Sequence, residues 1–279
     1  MNSNRNYSQN RANKFAWFVI ILTILVVIIA AVILIFYLRS KSESKDQTGQ
    51  SRSNTTNIRN DAPLASLPDM PDKPKPKWAT FNGCPPEGDA GDPELNKLKN
   101  RIDEGNYVPV DFDAIVKLGW PKGIERRNRS NWSRRDAEAI ARYEGIPVSV
   151  VCYIAGVKLM GPESCNCHGA DNDMKDYHVW ISKHAGDDRR GSIVAEVSPS
   201  MRARHTAWDI KNLRKLVKAQ QKVRISGWLM MDPEHPDQVG KTRGTIWEIH
   251  PIMLIEVEQN GKWMPIDNLQ LAAAGDNNA

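Results

Sequence analysis

Several signatures of chemistry are missing from this 279-residue chain. There is no GxSxG nucleophile turn and no glycine-rich loop of the kind that cradles phosphate. Hydrolases built on a nucleophile elbow and nucleotide-binding P-loop proteins therefore receive no support. No internal repeat is present, which removes solenoids and propellers. Cysteine is scarce, at four residues, and none sits in a CxxC pair with standard metal-ligand spacing. A basic excess is also missing where it would matter. The whole chain carries +5, but residues 1–77 hold eleven Lys and Arg against five Asp and Glu. From residue 78 onward, 27 bases meet 28 acids, leaving −1. Domain charge thus gives no support to a nucleic-acid partner, and the basic segments beside the apolar run suit anionic lipid instead.

What the chain does have is an uninterrupted apolar run without a charge at residues 15–38, FAWFVIILTILVVIIAAVILIFYL. At about 1.5 Å per helical residue it is long enough to cross a hydrocarbon core of roughly 30 Å. A cleaved signal peptide has a shorter core and a small-x-small cleavage site. This run ends in Ile35, Phe36, Tyr37 and Leu38, so it reads as an uncleaved transmembrane anchor, with Trp17 and Tyr37 near its two interfaces. A short basic tail, 1–14, precedes it. Lys and Arg nearly balance across the run, and the acid-free tail favours a cytoplasmic N-terminus with the soluble domain outside the cytoplasm.

Residues 39–77 read as a disordered Ser/Asn/Pro-rich linker that ends in LPDMPDKPKPK. Residues 78–145 read as a helical and loop extension. Asp92-Pro93 starts one helix carrying Leu95, Leu98 and Ile102, and Ser133 caps a second that ends at Gly145. Residues 111–121 read as a loop around Trp120. A β domain follows over 146–271, with a disordered tail at 272–279. Its expected elements are strands at 147–160, 177–182 and 192–198, a helix at 206–219, and strands at 222–231 and 246–258 bent near Pro251. Gly156 offers a bend in the first strand. The order β-β-β-α-β-β is that of a small five-stranded OB-like barrel, with an open α+β sheet as the alternative.

GPESCNCH, DYHVWIS, VAEVSPSMRARH, VRISGWLMMDPEHP and RGTIWEIHPIMLIEV, spanning 161–257, together resemble an uncharacterised family of membrane-anchored bacterial OB-like domains. The likeness covers about 145–257, with an echo in LNKLKNR near Leu95. It implies an OB-like fold and an envelope setting, and it supplies no catalytic residues. The element order also resembles the barrel of staphylococcal-type nucleases. The arginine and acidic motifs of those enzymes are not found here, so their activity is not carried over.

The richest chemistry lies in 161–178, with Glu163, Cys165, Cys167, His168, Asp171, Asp173, Asp176 and His178. Thiolate, imidazole and carboxylate suit a divalent transition metal, and Cys165, Cys167, His168 and His178 are the candidate ligands. The ordinary alternative is a polar loop with one cysteine in a disulfide. Four cysteines allow three full pairings, and all remain open. Glu248 and His250 form a candidate acid–base pair on one strand face, against the common case of a satisfied structural histidine. Arg224, Trp228, Arg243 and Trp247 are candidates for a stacking-and-charge binding groove, against core tryptophans and salt-bridged arginines. Two functions follow. One is a membrane-anchored binding or assembly module, with the bilayer and an envelope protein or polymer as partners. The other is a metal-dependent hydrolase of nuclease or phosphodiesterase type on the same barrel.

Overall fold

The computed structural model describes residues 64–70 and 72–269. The expected anchor at 15–38, the tails 1–14 and 272–279, and linker positions 39–63 lie outside the described residues. Among the described residues, no helix is long and apolar enough to cross a membrane.

The β domain is a closed five-stranded barrel. Its first strand, the 13-residue β2 (Pro147–Leu159), follows a two-residue strand, β1 (Val108–Pro109). Then come β3 (Tyr177–Ser182), β4 (Ile193–Val197), β5 (Lys222–Met231) and β6 (Trp247–Gln259). β2 pairs antiparallel with both β3 and β5, β3 with β4, and β5 with β6. A parallel pairing of β4 with β6 closes the ring. Closure decides against the open sheet and is consistent with an OB-like barrel. The register of β2 against β3 shifts between Ile154 and Gly156, where the sequence offered a bend.

Period-two alternation builds the barrel core. Val148, Val150, Cys152 and Ile154 of β2 face inward with Val179, Ile181, Ala195, Ile225, Trp247 and Ile249. Helix α5 (Ile210–Lys218) packs on this core through Leu213 and Leu216, and its N-cap Asp209 accepts from Asn212 N at 2.8 Å. A short helix, α4 (Pro199–Arg204), precedes it. The expected helix at 206–219 thus divides into a 3-10 turn and α5.

The extension adds α1 (Pro93–Lys99), α2 (Phe112–Val116) and α3 (Arg134–Ala141). Asp92 caps α1 by accepting from Glu94 N and Leu95 N, with Pro93 in the first turn. Ser133 caps α3, which ends before Gly145. Helix α2 lies where a loop was expected, and a short strand, β7 (Lys262–Pro265), pairs with β6.

Residues 64–70 and 72–77, inside the expected linker, carry almost no regular secondary structure, yet several of them have partners far along the chain. Leu64 bridges Val110, and Leu67 and Met70 pack on the core. Lys73 Nζ donates to the Glu144 carbonyl at 2.7 Å and also to that of Ala141, while Lys77 N donates to Asp103 Oδ1. Polar composition suggested disorder, and long-range partners supply the order.

Candidate functional site

The same alternation that fills the barrel turns His178, Glu196, Glu248 and His250 to its outer face. β4 lies between β3 and β6, so the four side chains meet across three neighbouring strands. His178 stands directly opposite Glu196 in the β3–β4 register, and Glu248 opposite Val194 in the β4–β6 register. His178 Nε2 lies 2.7 Å from Glu196 Oε1. His250 Nδ1 lies 3.5 Å from Glu196 Oε2 and 3.8 Å from Glu248 Oε2. Those two distances exceed hydrogen-bond length. Both ring nitrogens of His250, together with Glu196 Oε2 and Glu248 Oε2, are buried without a hydrogen-bond partner.

An outer barrel face ordinarily meets water, but this one is covered. The loop 161–176 and helix α1 lie over it. Lys99, at the end of α1, reaches Glu163 Oε2 at 3.2 Å. Asn166 donates to Asp176 Oδ2 at 2.5 Å, and Asn100 donates to the Cys165 carbonyl at 2.8 Å. A disulfide joins Cys84 to Cys167 and staples the loop to the segment before α1. At Gly88, φ is +69°, and an added Cβ would lie 2.1 Å from the Ser164 carbonyl oxygen, so the two backbones touch. The result is a sealed ionic layer in which His178, Glu196, Glu248, His250 and Asp176 are each at most 6% exposed.

This layer extends to one side. Arg243 Nη1 bonds Glu248 Oε1 at 2.5 Å and Asp232 Oδ2 at 3.1 Å. Asp232 also receives His235 Nδ1 at 2.6 Å. Five carboxyls (Glu163, Asp176, Glu196, Asp232, Glu248) therefore share two fixed cations, Lys99 and Arg243. The imbalance shows in protonation. Burial opposes charge on His178, but Glu196 beside it overrides this and raises its pKa to about 9. Burial also works against ionised Glu196, yet His178 and His250 hold its carboxyl well below the usual range. Asp176 is pushed up to about 7 by burial and by the charges of Glu163 and Glu196. Burial and Asp232 raise Glu248. His250 is raised too, burial being outweighed by Glu196 and Glu248.

The candidate metal ligands separate. Cys167 is in the disulfide and has no thiolate to offer, which corrects its reading as a ligand. His168 is half exposed and bonds Asp89 through Nδ1 at 2.8 Å, away from the buried layer. Cys165 is a buried free thiol, raised by burial and by Asp176, and lies near that layer. His178 is inside it. Three donor triads overlap here: Glu163/His178/Glu196, Glu163/Cys165/Asp176 and Asp176/Glu196/His250. Within each, donor atoms lie within 4.8 Å of one another.

The four groove candidates do not form an open groove. Trp228 is buried beneath the Arg101 guanidinium, 3.4 Å from its ring centre, and donates to the Asp103 carbonyl. Trp247 is buried in the barrel and meets Tyr143 edge-on. Arg243 is spent on Asp232 and Glu248. Arg224 makes a two-pronged pair with Glu256 at 2.5 and 2.6 Å and lies over Trp263. Indole surfaces needed for the core and guanidiniums needed by buried acids are not available to stack on a ligand.

Glu196, Asp232 and Lys99 were not singled out from the sequence. Glu196 left a signal, an acid in the middle of the apolar strand IVAEV. Comparison with family models, with curated proteins and with solved structures finds no match to this chain.

Proposed function

We propose that this chain is a membrane-anchored binding or assembly module of the bacterial envelope. An OB-like barrel is held outside the cytoplasm by the helix expected at 15–38. The observation that carries this reading is the sealing of the ionic layer. A hydrolase needs its acid, base and metal open to substrate. Here His250 and Glu248, the acid–base candidates, are about 1% exposed and lie under a stapled cover. Among the described residues, surface clefts of about 200, 320 and 440 Å³ are lined by other side chains. The Cys84–Cys167 disulfide supports an oxidising compartment, and so an exported domain. The resemblance to anchored bacterial domains points the same way. The partner is an envelope protein or polymer that meets the exposed surface of the domain, where Val151 on the barrel and Leu64 and Trp78 on the segments before it stand out as large apolar side chains.

The test uses the full chain in its own membranes. A photo-crosslinking residue at 64, 78 or 151 is expected to give a discrete adduct, with the protein retained in the membrane and its N-terminus intact. A mature terminus beyond Leu38 would remove the anchor. Hydrolysis of a phosphodiester reporter that depends on added Mn²⁺ or Zn²⁺ and is lost in His250→Gln would establish the hydrolase in place of the binding module.

A further inference from the structure

The partnerless atoms of the sealed layer carry a second conclusion, independent of what the barrel surface binds. A buried imidazole normally has at least one ring nitrogen satisfied, because an unmade bond to a buried polar group costs about 1–3 kcal/mol. His250 has neither satisfied, and two carboxylate oxygens within 4 Å of its Nδ1 are also partnerless. Four such atoms in one place are an unfilled coordination demand rather than a scatter of defects. We propose that Asp176, Glu196 and His250 bind a divalent transition-metal ion that ties the cover to the barrel.

The donor set suits such an ion. One imidazole nitrogen and two carboxylates are borderline-to-hard donors of the kind zinc and manganese accept. The three donors already lie within 4.8 Å of one another, and all three residues are at least nine-tenths buried. His178 is the positioning residue. Its contact with Glu196 Oε1 at 2.7 Å fixes that carboxylate and leaves Oε2 aimed at His250. Asn166 does the same for Asp176 through Oδ2. Charge agrees, since five carboxyls outnumber Lys99, Arg243 and the His178 imidazolium, leaving a deficit of positive charge that a dication offsets. The placement also assigns a role. Asp176 ends the loop that forms the cover, whereas Glu196 and His250 belong to the barrel wall. An ion between them joins the two layers. This site differs from the set read from the sequence, because Cys167 and His168 are engaged elsewhere.

The test is metal retention by the full chain purified in detergent. After chelation and gel filtration, Zn²⁺ or Mn²⁺ is added, the protein is filtered again and bound metal is measured. One ion per chain is expected to be retained, with a rise of several degrees in melting temperature. His250→Gln and Asp176→Asn are expected to weaken retention roughly 10–100-fold. His168→Gln is the control and is expected to behave as wild type. If the His250 variant fails to fold, Co²⁺ uptake by the wild-type chain decides. Visible absorption of a nitrogen- and oxygen-bound cobalt ion, absent from Asp176→Asn, supports the site. No retained ion in wild type overturns the proposal, and so does retention that survives both substitutions or is lost in His168→Gln.

Discussion

Breaking the Cys84–Cys167 bond is the most quantitative perturbation available. The bond links residues 83 apart in sequence. In the chain-entropy treatment, closing a loop of that size removes about 15 cal/mol/K from the unfolded chain, or about 4.5 kcal/mol at room temperature. A domain of roughly 200 residues shifts by about 2–4 °C in melting temperature per kcal/mol, so reduction should lower the midpoint by about 9–18 °C. The assay is a thermal melt of the purified chain with and without reductant, run beside a thiol count. Denatured, oxidised protein should show two thiols, from Cys152 and Cys165, and reduced protein four. The native oxidised protein should show almost none, because both free thiols are buried. The double substitution Cys84→Ser/Cys167→Ser should match the reduced protein. If the thiol count rises to four and the midpoint moves by less than about 3 °C, the cover contributes little to cooperative folding and the reasoning fails.

Two further perturbations follow. Gly227→Ala should destabilise by about 1–3 kcal/mol, because the new Cβ would sit 2.3 Å from the Pro251 carbonyl oxygen and 2.7 Å from Ile249 Cγ2; Gly123→Ala, with open space around it, should melt like wild type. His235 is raised above its ordinary pKa by its hydrogen bond to Asp232, so its contribution is full below about pH 6.5 and is lost as pH rises through the higher folded value. The stability gap between wild type and His235→Asn should therefore shrink from pH 6 toward pH 9, and a gap that widens would contradict the pairing.

The strands were legible where alternation was strong. Tyr177–Ser182 and Lys222–Met231 match the periodicity of the sequence residue for residue, and Pro147–Leu159 differs by one. β7 is only four residues long and ends in proline, too short for a periodic signal. Helix α2, at five residues, escaped for the same reason. The order of residues 64–77 was illegible because each hold on it comes from far along the chain: Val110, Ala141, Glu144 and Asp103. The site shows the same division. His178, Glu248 and His250 could be flagged singly. Their meeting through Glu196 depends on β4 lying beside β6, two strands about fifty residues apart in sequence. The disulfide, one of several open pairings, depended on where the extension packs.

The staple also divides the polypeptide topologically. The covalent ring it closes runs from Cys84 to Cys167, so it holds α1 to α3, β1 and β2, while β3 to β7 lie outside it. A protease cut anywhere between those cysteines opens the ring without releasing a piece. The cut chain would still migrate as one molecule until reductant is added. A cut after residue 167 separates the fragments at once under denaturing conditions. A chain nicked within the ring thus keeps its later strands joined to its N-terminal part, whereas one nicked after Cys167 sheds the remaining strands once it unfolds.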